Sequence, residues 1–393
     1  MAKKKKQSGK KRLSGYWLSV IIIATVTVFL NVLAIVCTPF ADWHWKYIYP
    51  LFLNSVGRFT NLFPFSIGEW LAFIVINALL ILVFWWIPAV ILKIRKKGVR
   101  FRRFTCSLYR FALLAGCCIL LFMTLTEFIL DHTTPLDPNL GREKREYTVE
   151  ELITVYNYVS DKINLYSCLQ TRDEDGWIIA DKKETMENAA EALRGISKRY
   201  PQLAGWYPQV KPLFFSGIVT RMGFAGYFYP YSMEADYNAL MYEGNYDTFV
   251  HELAHSHGFM REDEANFLAY AACTECGDLF LAYCGYMSVI SYMDRDLHQS
   301  LAQLSQDEIN GLPEILGPYS IYFDQDWCFL KPEQQEQLDE SDEFLTDIVS
   351  PETIDHVASE VADITIKMSG QSGMAAYGEV VGLLLQYYDG VLY

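Results

Sequence analysis

Acidic residues are nearly absent from the first third of this chain: residues 1–130 carry 17 Lys and Arg but only three Asp and Glu, whereas residues 131–393 carry 16 and 44. The two parts are built for different surroundings. The acidic part lacks the clustered Lys and Arg that hold a phosphate backbone, which excludes nucleic acid as a partner. Its charge reads instead as a soluble, self-repelling surface. The chain also has no Walker loop, no dinucleotide fingerprint and no serine-nucleophile elbow, so three large enzyme classes drop out. A second Cys-x-x-Cys is missing too. Cys273 and Cys276 therefore lack both the partner pair of a zinc ribbon and the strand-to-helix setting of a redox motif. Outside the hydrophobic runs stand Cys168, Cys273, Cys276, Cys284 and Cys328, an odd number, so buried thiols or at most a single structural disulfide are expected.

What the first third does have is hydrophobic length. Runs at about Tyr16 to Cys37, Trp70 to Leu92 and Leu108 to Leu130 each meet the roughly 20 apolar residues needed to cross a bilayer. The first is too long for a signal peptide, and no small-x-small site closes it. Ionisable groups near these runs are few: Glu69, Glu127 and Arg110 all lie toward the ends, where charge is cheap. Lys3 to Lys6, Lys10, Lys11 and Arg12 precede the first run, and Lys93 to Arg103 separate the second from the third. The positive-inside rule puts both basic segments in the cytoplasm. A loop from about Thr38 to Glu69, with Trp43, Trp45, Tyr47 and Tyr49 as aromatic anchors, then lies outside, as does everything after Asp131.

The most informative feature of the acidic part is His251-Glu252-Leu253-Ala254-His255. On a helix, positions i and i+4 share a face, so both imidazoles can reach one ion, with Glu252 beside them. Hydrolytic zinc takes three protein ligands and leaves a position for water, which a nearby carboxylate can deprotonate. Asp247 or Thr248 can cap this helix, and Gly258 can end it in a left-handed turn. The third ligand is then expected from Arg261 to Phe267. Glu262 is the first choice, with Asn266 four residues on to support a ligand, and Glu264 is the alternative. His257 is expected at the surface.

The block Arg261-Glu-Asp-Glu-Ala-Asn266 resembles the Glu-x-x-Ala-Asp ligand helix of gluzincin peptidases, including the membrane-associated prenyl-protein and heat-shock endopeptidases. That resemblance implies metal binding by Glu262 and a supporting role for Asn266. The chain departs from the pattern in its asparagine and in a short gap after His255. A metzincin pattern would put the third ligand at Arg261, which cannot serve. The blocks GFAGYFYPYSMEADYN, HELAHSHGFMREDEANFLAY and AAYGEVVGLLLQYY resemble the bacterial membrane family called domain of unknown function 3810, which implies no substrate.

The expected fold is an α-helical membrane region of three transmembrane helices followed by a mainly α, α+β zincin-like extracytoplasmic domain, with a small β-sheet beside the metal-binding helix. In residue terms this is a basic cytoplasmic segment (1–15), the spans (16–130), a Pro- and charge-containing linker (131–147) and the catalytic domain (148–393). Thr148 to Glu151 reads as a capping box opening a helix to about Leu169, and a second helix runs from Lys182 to Tyr200. Val210 to Met241 reads as short strands and turns. The resemblance to zinc peptidases implies that a strand just upstream of the metal helix pairs with an extended substrate, with Ala235 to Met241 as the candidate and Tyr227 to Tyr231 as a wall. Phe267 to Tyr286 is helix-like, and Glu333 to Glu343 is a solvated stretch. Tyr377 is the candidate oxyanion donor, His298 a weaker rival.

The expected activity is zinc-dependent hydrolysis of peptide or protein substrates at the outer membrane face. Zn2+ would be held by His251, His255 and Glu262, with Glu252 as base. Two other classes stand beside it: a zinc-stabilised binding or scaffold module, against which Glu252 speaks, and a small transporter or assembly factor, against which the scarcity of charge in the spans speaks.

Overall fold

The architecture comes from a computed structural model, which describes residues 14–94, 99–138, 145–346, 356 and 379–393. Among the described residues, three helices are long and apolar enough to cross a membrane: Gly15–Val36, Ile67–Ile91 and Val99–His132. The first is α1; the second lies within α3 (Ile67–Ile94), and the third begins as α4 (Val99–Met123) and continues through a π turn and a 3-10 turn to His132. Their outward residues, such as Ile74, Val83, Phe84 and Phe111, are apolar and exposed.

The stretch between the first two spans is not a loop. Pro39 starts α2 (Thr38–Tyr47), and short helical turns follow from Tyr49 to Thr60. Residues three or four apart on one side are buried: Ala41, Trp45, Tyr49, Leu53, Gly57 and Thr60. Of the four expected aromatic anchors, Trp43 and Tyr47 do face outward, whereas Trp45 and Tyr49 belong to the core shared with the acidic part. The four aromatics stand two apart, a spacing that alternates the faces of a helix, and composition alone could not say which face is inside.

In the acidic part, α5 (Val149–Cys168) opens with the expected capping box, Thr148 and Glu151 bonding each other's backbone N–H. Next come α6 (Lys182–Ile196), capped by Asp181, and a three-stranded sheet of β1 (Lys211–Pro212), β2 (Gly226–Tyr229) and β3 (Glu234–Tyr237). The order is β1-β3-β2, with β3 parallel to β1 and antiparallel to β2. Helices α7 (Thr248–Ser256), α8 (Glu262–Glu275) and α9 (Leu279–Leu301) follow. The expected run from Phe267 to Tyr286 is thus two helices, broken at Gly277. The acidic stretch forms α10 (Pro332–Thr346), and α11 (Glu379–Tyr388) packs back on α8.

The core is centred on α8, packed between α6, α7, α9 and α11. Phe249, Leu253 and Ala254 of α7 and Phe267, Leu268 and Tyr270 of α8 are fully buried. At roughly 1.5–3 kcal/mol for each large apolar side chain, this packing fixes α7 far more firmly than its nine residues could do alone.

Candidate metal centre

Helix α7 ends where the turn chemistry requires. Gly258 takes φ +93°, and a Cβ there would lie 2.4 Å from Trp45 Nε1. Both the left-handed conformation and the close approach demand glycine. The turn returns Phe259 beneath the helix, where its carbonyl accepts a 2.6 Å hydrogen bond from His255 Nδ1. That bond orients the ring and leaves Nε2 free to face the cavity, as in protein metal sites. The sequence reading gave the supporting role to Asn266. Asn266 does line the cavity, but its amide nitrogen has no partner, and the Phe259 carbonyl holds the ring instead.

His251, His255 and Glu262 converge, with one ligand atom of each lying within 4.8 Å of the others. His251 Nε2 is 2.9 Å from His255 Nε2 and 3.2 Å from Glu262 Oε2, and His255 Nε2 is 3.6 Å from Glu262 Oε1. Ligands at about 2.0–2.1 Å around a tetrahedral ion stand about 3.3 Å apart, so these spacings fit one. Glu264 turns away: it is buried, accepts from the Leu136 backbone N–H at 2.8 Å and faces Arg261 at 3.5 Å.

Glu252 is buried in the same cavity, and its Oε2 has no hydrogen-bond partner. Its other oxygen presses on the sheet: a Cβ at Gly226 of β2 would lie 2.6 Å from Glu252 Oε1 and 2.8 Å from the Asp236 carbonyl. Glycine there lets the strand lie against the helix.

The electrostatics show a cluster short of positive charge. Burial pushes the Glu252 carboxyl up to about 8, with Glu262 adding to the effect and His251 opposing it. Burial would keep His251 neutral, but the hydrogen bond to Glu262 and the charges of Glu262, Glu252 and Asp247 outweigh it and raise His251 to about 9. Glu262 is held down at about 2: burial works against ionisation, and the hydrogen bond from His251 and the nearness of His255 overcome it. His255 falls to about 4, chiefly through burial. The geometry, the orphaned Glu252 oxygen and a donor set of two imidazoles and a carboxylate all fit a divalent ion such as zinc.

The surrounding cavity, about 320 Å³, is lined by Gly226, Tyr227 and Phe228 of β2, by Asn245 and Asp247, by Tyr292 of α9, and by Glu127 and Asp131 at the end of the third span. The span residues are ones that sequence reasoning did not connect with the site. Tyr227 and Phe228 of β2 line the cavity as the expected wall, but among the described residues β3 is paired on both sides and β2 is the strand with an unpaired edge.

His257 is not at the surface. It is buried, stacked on Tyr207 with centroids 4.0 Å apart, and its ring nitrogens lie 2.7 Å from the Gln202 carbonyl and 3.2 Å from that of Trp206. His298 is exposed near Asp294 and does not line the cavity. Tyr377 lies outside the described residues; among those described, Tyr227 and Tyr292 are the phenols of the cavity. No disulfide forms among the described residues: Cys273 and Cys284 are buried thiols whose pKa values burial drives well up, and Cys276 is free and exposed.

No curated protein and no solved structure matches the chain. The family described as "Protein of unknown function (DUF3810)" matches residues 44–385, a stretch that begins in α2, includes the sheet and the His-Glu-His cluster, and ends within α11. This chain belongs to that family.

Proposed function

We propose that this protein is a membrane-anchored zinc metallopeptidase of zincin-like, gluzincin-like design that hydrolyses peptide or protein substrates at the outer face of the membrane. The observation that carries the reading is the joint placement of His251, His255 and Glu262 at tetrahedral spacing with an unpartnered, buried Glu252 beside them. A purely structural zinc site closes its coordination with protein ligands and needs no such carboxylate.

His251, His255 and Glu262 would hold the ion. When bound, zinc supplies a Lewis acid that acidifies water and polarises a carbonyl. Glu252 takes the proton of the attacking water and delivers it to the departing amine, so that one group serves as base and then as acid. Strand β2 offers its free edge to an extended substrate backbone, and Tyr227 and Tyr292 supply O–H donors along the cavity. Burial raises the pKa of Tyr227, and the charges of Glu127, Glu252 and Glu262 add to the rise, which keeps this phenol protonated as a donor must be. The distribution of basic residues supports an extracytoplasmic position for the site.

The test is hydrolysis of a peptide library by the full-length, zinc-loaded protein against Glu252→Gln. The expected result is cleavage by the native protein and a fall of about 10³-fold in the variant with zinc content unchanged. Equal cleavage by both contradicts the mechanism, and zinc binding without any cleavage points to the scaffold module instead.

A further inference from the structure

We infer that the cleft works at the membrane surface and that its substrates are polypeptide segments lying directly beside their own membrane anchor. The inference rests on the hydrolase reading above and narrows it. Two separate observations carry it.

The first is a helical path that is apolar on both sides. From Thr38 to Leu62, one face buries Ala41, Trp45, Tyr49 and Leu53 against the acidic part of the chain. The opposite face presents Trp43 (50% exposed), Tyr47 (55%) and Leu51 (63%) at spacings of four, and then Phe59 (60%) and Leu62 (77%). A helix hydrophobic all round needs two apolar partners. One is the chain itself. The other must suit Trp, Tyr and Phe together with the exposed cation Lys46, whose ammonium lies 5.3 Å over the Tyr47 ring. That mixture matches the boundary between acyl chains and headgroups, where aromatic rings settle and basic side chains reach phosphates. The path joins two helices that are themselves long enough to cross a membrane, which places it at that boundary. Phe214 (69% exposed) extends the same surface and packs on Trp70 of α3 at 5.4 Å between centroids.

The second is the lining of the cavity. Glu127 and Asp131 stand on the last turns of the Val99–His132 span and face the same cavity as His251, Glu252 and Glu262. About 20 residues of a helix cover the hydrocarbon layer. Counted from the basic start of the span at Arg100 to Arg103, this brings the outer boundary within two turns of Glu127. Helix α7 also rests directly on the path: Trp45 Nε1 donates to the His257 carbonyl at 2.8 Å, and the Tyr49 hydroxyl donates to the carbonyl of Ser256 at 3.0 Å. One helix diameter, about 10–12 Å, therefore separates the cleft from the lipid surface.

An extended chain covers that distance in about three to four residues. A segment leaving its own anchor thus reaches the cleft at once and at high effective concentration, an advantage that fades as the spacer lengthens.

The experiment uses full-length protein in phosphatidylethanolamine and phosphatidylglycerol vesicles, with one fluorogenic peptide library palmitoylated through a spacer of about four or about 30 Gly/Ser residues. Both formats concentrate the library at the surface equally. The inference predicts at least tenfold faster cleavage with the short spacer. Equal rates, or faster cleavage with the long one, overturn the inference and leave the hydrolase reading intact. Absence of cleavage in both formats, and of the free library in detergent, by zinc-loaded protein overturns the hydrolase reading and the inference with it. A readout independent of activity is photo-crosslinking with p-benzoylphenylalanine in place of Trp43, Leu51 or Phe214. Lipid adducts are expected at these positions but not at Tyr319, which is 75% exposed. Equal adducts at all four, or none, overturn the placement.

Discussion

Two buried clusters of charge, one on the small sheet and one on the helices packed against it, differ in how completely the chain satisfies them. Lys211 of β1 and Glu234 of β3 form one. The Lys211 ammonium donates to Glu234 at 2.5 Å and to the carbonyls of Thr60 at 2.8 Å and Phe65 at 3.4 Å. Glu234 in turn accepts from the backbone N–H groups of Ile67 at 3.1 Å and Gly68 at 2.7 Å, at the start of α3. The cluster is closed, and it ties the second span to the sheet. The other cluster, His251, Glu252, His255 and Glu262, is open: one carboxylate oxygen has no partner, and two imidazole nitrogens face each other at 2.9 Å. The same residue types serve architecture where their valences are filled from within. They point to a ligand where they are not.

The largest effect should come from breaking the closed cluster. Lys211→Met leaves Glu234 buried without its cation and is expected to cost about 3–5 kcal/mol, read as a large drop in the midpoint of thermal unfolding in detergent. Adding Glu234→Leu should recover only part of that loss, because the Ile67 and Gly68 N–H groups then lose their acceptor. A cost below about 1 kcal/mol for the single change would mean that the cluster does not hold the sheet to the span.

Gly226→Ala probes the seam between β2 and the open cluster. The new methyl group meets Glu252, Thr248 and the Asp236 carbonyl, so β2 must back away and Glu252 shift; with the histidines held by α7, peptide hydrolysis should fall by about 10²-fold with zinc content unchanged. Loss of zinc instead would show that the strand positions the ligands as well as the base.

The smallest effect belongs to Tyr49→Phe, which removes a hydroxyl bonded to the carbonyls at the end of α7. About 1 kcal/mol of stability should be lost, with catalysis nearly intact. A much larger change in hydrolysis would make this contact part of the positioning of α7 and not only of its anchoring.

The contrast also explains what could be read from the sequence. His251, Glu252 and His255 were legible because their relation is set by one helix, and the capping box at Thr148 because it spans three residues. Glu262 was legible through its distance from a turn that Gly258 makes possible. The rest depends on partners far along the chain. Trp45 meets the His257 carbonyl across 212 positions, and Glu127 meets the cavity from a different part of the fold. No local period announces such contacts. His257 looked exposed because it lies two residues beyond His255, but the turn at Gly258 carries it between two carbonyls of the 202–206 segment. That β3 sits between β1 and β2 was hidden for a similar reason: the strands are short, and only their pairing order shows which lies in the middle.

The most direct measurement of the central claim is the metal content of the purified full-length protein, native against Glu262→Gln and Glu264→Gln. The account predicts one zinc per chain in the native protein, loss of it in Glu262→Gln, and full retention in Glu264→Gln, whose carboxylate serves the Leu136 backbone. Retention in Glu262→Gln, or no stoichiometric metal in the native protein, would contradict it.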